Sequence, residues 1–169
     1  MTTEKEQTME LWELAAREGV RDCIAKYNAY GDSGRLDEMI EVFAEDAVME
    51  MDGDAYTGRA AIRDIMTSSG RGFIDFAKRA GTPRDAPLVR HYTSTIVITV
   101  DSPTTAHAEL YYVVLMFRGI DHWGRYVDDY VCVDGEWKIA RRQEWMDGAS
   151  QGGFGAEHMV RLGRSGYGT

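Results

Sequence analysis

Apolar residues recur at helical spacing between Met9 and Tyr30. Val20, Cys23, Ile24 and Tyr27 stand at i, i+3, i+4 and i+7, which is one face of a helix. The stretch Gly31 to Arg35, "GDSGR", breaks that helix, and Leu36, Met39, Ile40 and Phe43 form the stripe of a second. "AVMEMDG" predicts a short strand ending in a turn, and "AYTG" leads into a third helix around Ala60 to Met66. Residues 67–87 lose the period and contain three glycines and two prolines. They predict a partly helical loop, of a length that is usually functional or disordered. The pattern then changes to alternation, with strands expected at 89–100, 105–118, 123–133 and 136–146. "DSPT", "RGIDH" and Asp134-Gly135 join them, the last pair being a strong two-residue hairpin signal. The glycine-rich end, "GASQGGFGAEHMVRLGRSGYGT", predicts a mobile or draped tail.

Helices first and an antiparallel meander after them predict an α+β domain, with helices packed on one face of a curved sheet. The 169 residues suit a single domain over 1–146 with a tail over 147–169, large enough to enclose a pocket. A net charge of −9 repels phosphate backbones and argues against nucleic acid as a partner. No apolar run approaches membrane-spanning length, so the expectation is no membrane partner and a cytoplasmic location. Cys23 and Cys132 fall in separate elements and read as reduced thiols. His107, His122 and His158 have no ligand spacing, and no glycine-rich phosphate loop is present. Neither a metal nor an organic cofactor is expected.

One histidine stands apart. His91 opens the strand "VRHYTSTIVITV", whose β-branched and aromatic residues suit a pleated surface. Unbroken alternation puts His91, Thr93, Thr95 and Val97 on one face and Tyr92, Ser94, Ile96 and Ile98 on the other. The second set is the more apolar, so alternation alone does not turn His91 inward. Asp32, between two helices, also fits an N-cap for the segment that starts near Arg35. Tyr27, Tyr30, Tyr112, Tyr126, Tyr130 and Trp145 could line a pocket for an aromatic or polycyclic molecule, whereas Trp137 reads as core. Tyr126, Asp128 and Tyr130 share one strand face. Arg141 shares parity with Trp137 and Ile139 and, if buried, needs Glu144 or Asp128 as a partner. Arg142 points the other way and reads as a surface residue.

The order of elements, together with "IAKYNAYGDSGRLDEMIEVFAEDAVMEM", "YTGRAAI", "RHYTSTIVITV" and "GRYVDDYVCVDGEWKIARR", resembles the SnoaL-like, scytalone dehydratase-like branch of the NTF2-like superfamily over about residues 10–146. That resemblance implies a cone in which helices and a curved, mostly antiparallel sheet enclose a pocket. In the lyase members an Asp just after the first helix meets a His on the first long strand. The matching residues are Asp32 and His91, and Tyr27 stands five residues before Asp32, as a tyrosine does in the bile-acid dehydratase. Gly31 stands where scytalone dehydratase has a tyrosine, and Val114 falls near an aspartate of the bile-acid enzyme.

The implied activity is a cofactor-independent lyase acting on a small aromatic or polycyclic compound. His91 would take a proton and return it to a departing water, halide or aldehyde, with Asp32 and Tyr27 completing the catalytic group. Tyr30, Tyr112, Tyr126, Asp128, Arg141 and Trp145 are the expected substrate-binding residues. The alternatives are an isomerase or cyclase, and a non-catalytic binding subunit such as a ring-hydroxylating dioxygenase β subunit. Relatives often pair through the outer sheet face, so the resemblance also implies a homodimer or homotrimer.

Overall fold

The computed structural model describes residues 9–83 and 88–164. Helix α1 covers Leu11–Asp32 and buries Val20, Cys23, Ile24, Tyr27 and Asn28 on one side. It therefore outlasts its sequence pattern by two residues and carries Asp32 in its last turn rather than as the cap of the next helix. Gly34, at φ 70°, takes the left-handed conformation that lets the chain turn into α2, Leu36–Glu41. Phe43, which continues the α2 stripe in sequence, instead opens strand β1, Phe43–Met51. A tight turn at Asp52 and Gly53 joins β1 to β2, Asp54–Thr57.

Helix α3 runs from Gly58 to Arg79, so much of the predicted loop is helical. Its inward stripe is Ile62, Met66, Phe73, Phe76 and Ala77. The gap in that stripe, where Ser69 and Gly70 stand, faces a cavity. The period looked broken because one turn of α3 lines empty space instead of core. A Cβ on Gly72 would lie 3.4 Å from the Phe154 ring, so this second glycine sits at a helix contact rather than a helix end. Residues 84–87 of the predicted loop lie outside the described residues.

Four long strands follow: β3, Arg90–Ser102; β4, Thr105–Met116; β5, Gly119–Val133; and β6, Glu136–Ala149. The six strands form one sheet in the order β2-β1-β6-β5-β4-β3, antiparallel except for the β1–β6 pair. Asp134 and Gly135 join β5 to β6 with φ of 51° and 83°, both positive as this class of two-residue turn requires. Beyond β6, in the segment read as a tail, residues Phe154–Arg161 form helix α4. Residues 165–169 of that segment lie outside the described residues.

The core lies between α1 and the inner sheet face, where Val20, Ile24 and Tyr27 meet Leu110, Val114, Tyr126, Tyr130 and Ile139. Two bulges decide what reaches it. In β3 the pairing with β4 shifts between Ser94 and Val97, and Thr95 has φ 52°. One extra residue changes the strand's parity. His91 and Thr93 are partly covered before the bulge, and Ile96, Ile98 and Val100 turn inward after it. Unbroken alternation is thus corrected: His91 and Ile98 belong to the same face.

The second bulge lies in β6, where Tyr130 pairs with Ile139 but Asp129 with Arg141. The parity of Ile139 therefore passes to Arg142 rather than Arg141. Arg142, read from sequence as a surface residue, is 0% exposed. Its guanidinium donates to both Asp128 carboxylate oxygens, at 2.9 and 2.6 Å, and Tyr130 donates its hydroxyl to the same group at 2.6 Å. The Tyr27 and Tyr126 rings both lie against it, each 4.1 Å from the guanidinium carbon. Burial alone would lower the Arg142 pKa, but the charge and hydrogen bonds of Asp128 outweigh it and raise it well above the ordinary value.

Candidate active site

A cavity of about 610 Å³ opens between the inner sheet face and helices α1, α3 and α4. That size suits a small organic molecule. Met39, Met51, Met66, Phe73, Met146 and Phe154 form much of its wall. Thioether side chains adapt to a ligand's outline more readily than branched ones do.

Asp32 and His91 meet at this wall. The His91 backbone N–H donates to Asp32 Oδ2 at 2.8 Å, and ring Nδ1 lies 2.6 Å from Oδ1. A carboxylate can only accept, so Nδ1 must carry hydrogen, and the neutral ring keeps its lone pair on Nε2. No described residue hydrogen-bonds Nε2, and His91 lines the cavity. Asp32 also sits at the negative end of the α1 dipole, with no basic residue in that last turn. A carboxylate is unfavourable there. The His91 N–H and ring supply the compensation that the helix lacks.

Two further histidines line the same cavity, and sequence spacing gave no sign of either. His122 is buried near the start of β5, with Nδ1 2.8 Å from Asp121 Oδ1. The register places His91, Val114 and His122 in one row across β3, β4 and β5. Two strand spacings, about 10 Å, therefore separate the two histidine backbones. His158, on α4, has Nε2 2.6 Å from Asp52 and Nδ1 3.3 Å from Arg161, so both of its ring nitrogens are engaged. Asp121 also accepts the Phe154 and Gly155 backbone amides, both at 2.8 Å, and so holds the start of α4. Burial would raise the Asp121 pKa, but the His122 hydrogen bond and these two amides outweigh it and hold it below the ordinary value.

Of the other residues expected at the site, Tyr27 and Tyr126 line the cavity. Burial pushes the Tyr27 phenol up to about 12, so it is a hydroxyl donor at neutral pH. The remaining five are not among the lining residues. Tyr30 lies under the Arg35 guanidinium, 4.4 Å from it. Tyr112 is buried against Tyr126 and donates to Glu144 at 3.2 Å. Asp128 is committed to Arg142 and Tyr130. Arg141 pairs with Glu50 at 2.7 Å, and Trp145 is exposed beside Arg125. Four of the five fell in the strands expected of them, but the two bulges and the depth of the core behind Tyr126 were not legible.

Asn28, which the sequence reading passed over, and Glu144, which it named only as a partner for Arg141, are lining residues. Asn28 is one helical turn before Asp32, only 8% exposed, and its Oδ1 is buried without a hydrogen-bond partner among the described residues. Such an orphaned acceptor costs about 1–3 kcal/mol. Among the described residues no group of three or more His, Cys, Asp or Glu is placed to hold a metal ion. No described helix is long and apolar enough to cross a membrane.

Solved structures share this arrangement of helices and sheet. A candidate scytalone dehydratase of Novosphingobium aromaticivorans superposes with a TM-score of 0.67 at 22% identity, covering 84% of this chain and 91% of that one. An NTF2-like protein with a cystatin-like fold from the same organism gives 0.65 at 23% identity, over 84% and 93%. LinA gives 0.65 at 16% identity, over 80% and 88%. No curated protein matches the sequence. The fold is therefore the NTF2-like α+β fold. The SnoaL-like domain model matches residues 12–143, and the chain belongs to that family.

Proposed function

We propose that this protein is a cofactor-independent lyase acting on a small aromatic or polycyclic molecule, with His91 as its catalytic base and Asp32 as its positioning residue. The observation that carries this reading is the double hold of Asp32 on His91, which leaves Nε2 as the uncommitted nitrogen at an apolar cavity. A base in such a place meets a substrate carbon with little competing water. Nε2 takes the proton from a carbon next to an activating carbonyl or phenol. The C–H electron pair becomes the new double bond, and the bond to the leaving oxygen breaks with its electrons going to that oxygen. The imidazolium returns the proton there, and water departs. Tyr27 donates its hydroxyl to the activating oxygen as negative charge builds on it. The candidate dehydratase among the similar structures supports this choice of reaction.

The test is incubation of the full chain with a panel of hydroxylated aromatic ketones and cyclic alcohols, followed by mass spectrometry of the products. Loss of one water, abolished in His91→Gln, is the expected result. A product of unchanged mass would instead identify an isomerase, and no product across the panel would overturn the catalytic reading.

Self-association as a homodimer or homotrimer is part of the same proposal. Tyr92, Val97, Tyr111, Trp123 and Trp145 are all exposed on the sheet strands. Large apolar residues gathered in this way suit an interface between copies. Light scattering that gave a single-chain mass at micromolar concentration would refute it.

A further inference from the structure

We infer that Asn28 is the specificity residue of this cavity, and that it selects a ligand with a neutral hydroxyl on an aromatic ring. The inference rests on the proposed lyase site but names a feature of the ligand which that reading leaves open. Asn28 is buried, lines the cavity, and leaves Oδ1 without a partner among the described residues. A folded core rarely retains a buried polar atom of this kind without a use for it. A ligand filling the cavity strips solvent from the amide and must replace its hydrogen bonds.

The surroundings define the group that can do so. Oδ1 requires a donor. The wall is largely apolar, and its two α1 and β6 carboxylates, Asp32 and Glu144, are already engaged by His91 and Tyr112, so an ammonium would lose its hydration there without a free counter-charge. A hydroxyl donates to Oδ1 and accepts from Nδ2, so it satisfies the amide whichever way the group is turned. An ether or a halogen can only accept.

Position adds a second constraint. Asn28 and Asp32 are four residues apart on α1, so their side chains leave the same face about 5–6 Å apart. Asp32 in turn fixes the His91 ring. The selected hydroxyl thus lies on the wall of the cavity that also carries the Asp32–His91 pair. The substrate class is a phenol-bearing ring system that reaches from Asn28 to the Asp32–His91 pair.

The experiment is binding, which requires no turnover. Calorimetry would compare 2-naphthol with 2-methoxynaphthalene on the wild-type chain and on Asn28→Leu, a substitution close in shape. The wild type should prefer the naphthol on the order of tenfold, the equivalent of one hydrogen bond. Asn28→Leu should bind the two alike and, without ligand, should melt no lower than the wild type, because the orphaned acceptor is gone. If leucine prevents folding, Asn28→Ala gives the same comparison. Retention of the preference in the variant, or its absence in the wild type, would overturn the inference. The lyase reading fails separately, through the absence of a dehydrated product while the binding preference stands.

Discussion

The carboxylate of Asp32 fixes the ring and the backbone of His91 together, one oxygen to each. Charge and geometry can therefore be separated by substitution. In Asp32→Asn the amide oxygen can still accept the His91 N–H, but the amide no longer demands hydrogen on Nδ1. Turnover should fall on the order of 10²–10⁴-fold with the melting temperature nearly unchanged. Asp32→Ala removes both contacts and should lower both quantities. Steady-state kinetics beside thermal melts would check this, and equal activity in Asn and wild type would refute it.

Asp128 and Arg142 are both fully buried, so removing one charge strands the other. Asp128→Ala should cost about 3–5 kcal/mol in urea denaturation. Replacing both, as Asp128→Leu with Arg142→Met, should recover most of that loss. A double variant no more stable than the single one would show that the pair contributes something beyond compensating its own burial.

Asp121 links acid stability to helix α4. Its folded pKa lies below the ordinary value, so its contribution is complete above about 3.8 and is lost as the pH falls through the lower folded value. Amide-exchange protection at Phe154 and Gly155 should therefore be lost at acid pH ahead of protection in β4 and β5. Asp121→Asn should remove that pH dependence. Exchange at α4 that follows global unfolding at every pH would refute the link.

Thr95 carries the phase change of β3. Its deletion should restore plain alternation, and the apolar Ile96, Ile98 and Val100 would hold the inner face at the expense of His91. The expected outcome is a folded chain with His91 turned outward, no Asp32–His91 contact by NMR, and no turnover. A contact that survives deletion would mean that Asp32, and not the bulge, directs the histidine.

The order of elements was legible because amphipathic periods in α1 and alternation in β4 to β6 report burial directly. The Asp134-Gly135 turn was legible because few residues accept positive φ. The site was legible only in part. Asp32, His91 and Tyr27 carried a family resemblance and Tyr126 was read from its strand face, whereas the inward choice of Arg142 over Arg141 depends on a bulge that leaves no composition signal. His122 reaches the cavity through the register of β3, β4 and β5, and His158 through long-range pairing with Asp52, and neighbours in space such as 52 and 158 have no mark in sequence. The extent of α3 was missed because Ser69 and Gly70 face the cavity, where a helix has no reason to be apolar.

Helix α4 has a consequence for how the protein is made. Asn28 and Asp32 come early from the ribosome and His91 midway, yet Phe154 and His158 emerge only with the last described element. Until Phe154 stacks on Phe73, at 4.2 Å, the nascent fold is an unlidded apolar cup. A ribosome that stalls or terminates before α4 would thus release a chain with its Asp32–His91 pair assembled and its greasy interior on display. Such a product is a natural target for chaperones and proteases, so docking of α4 is what withdraws the apolar interior from them.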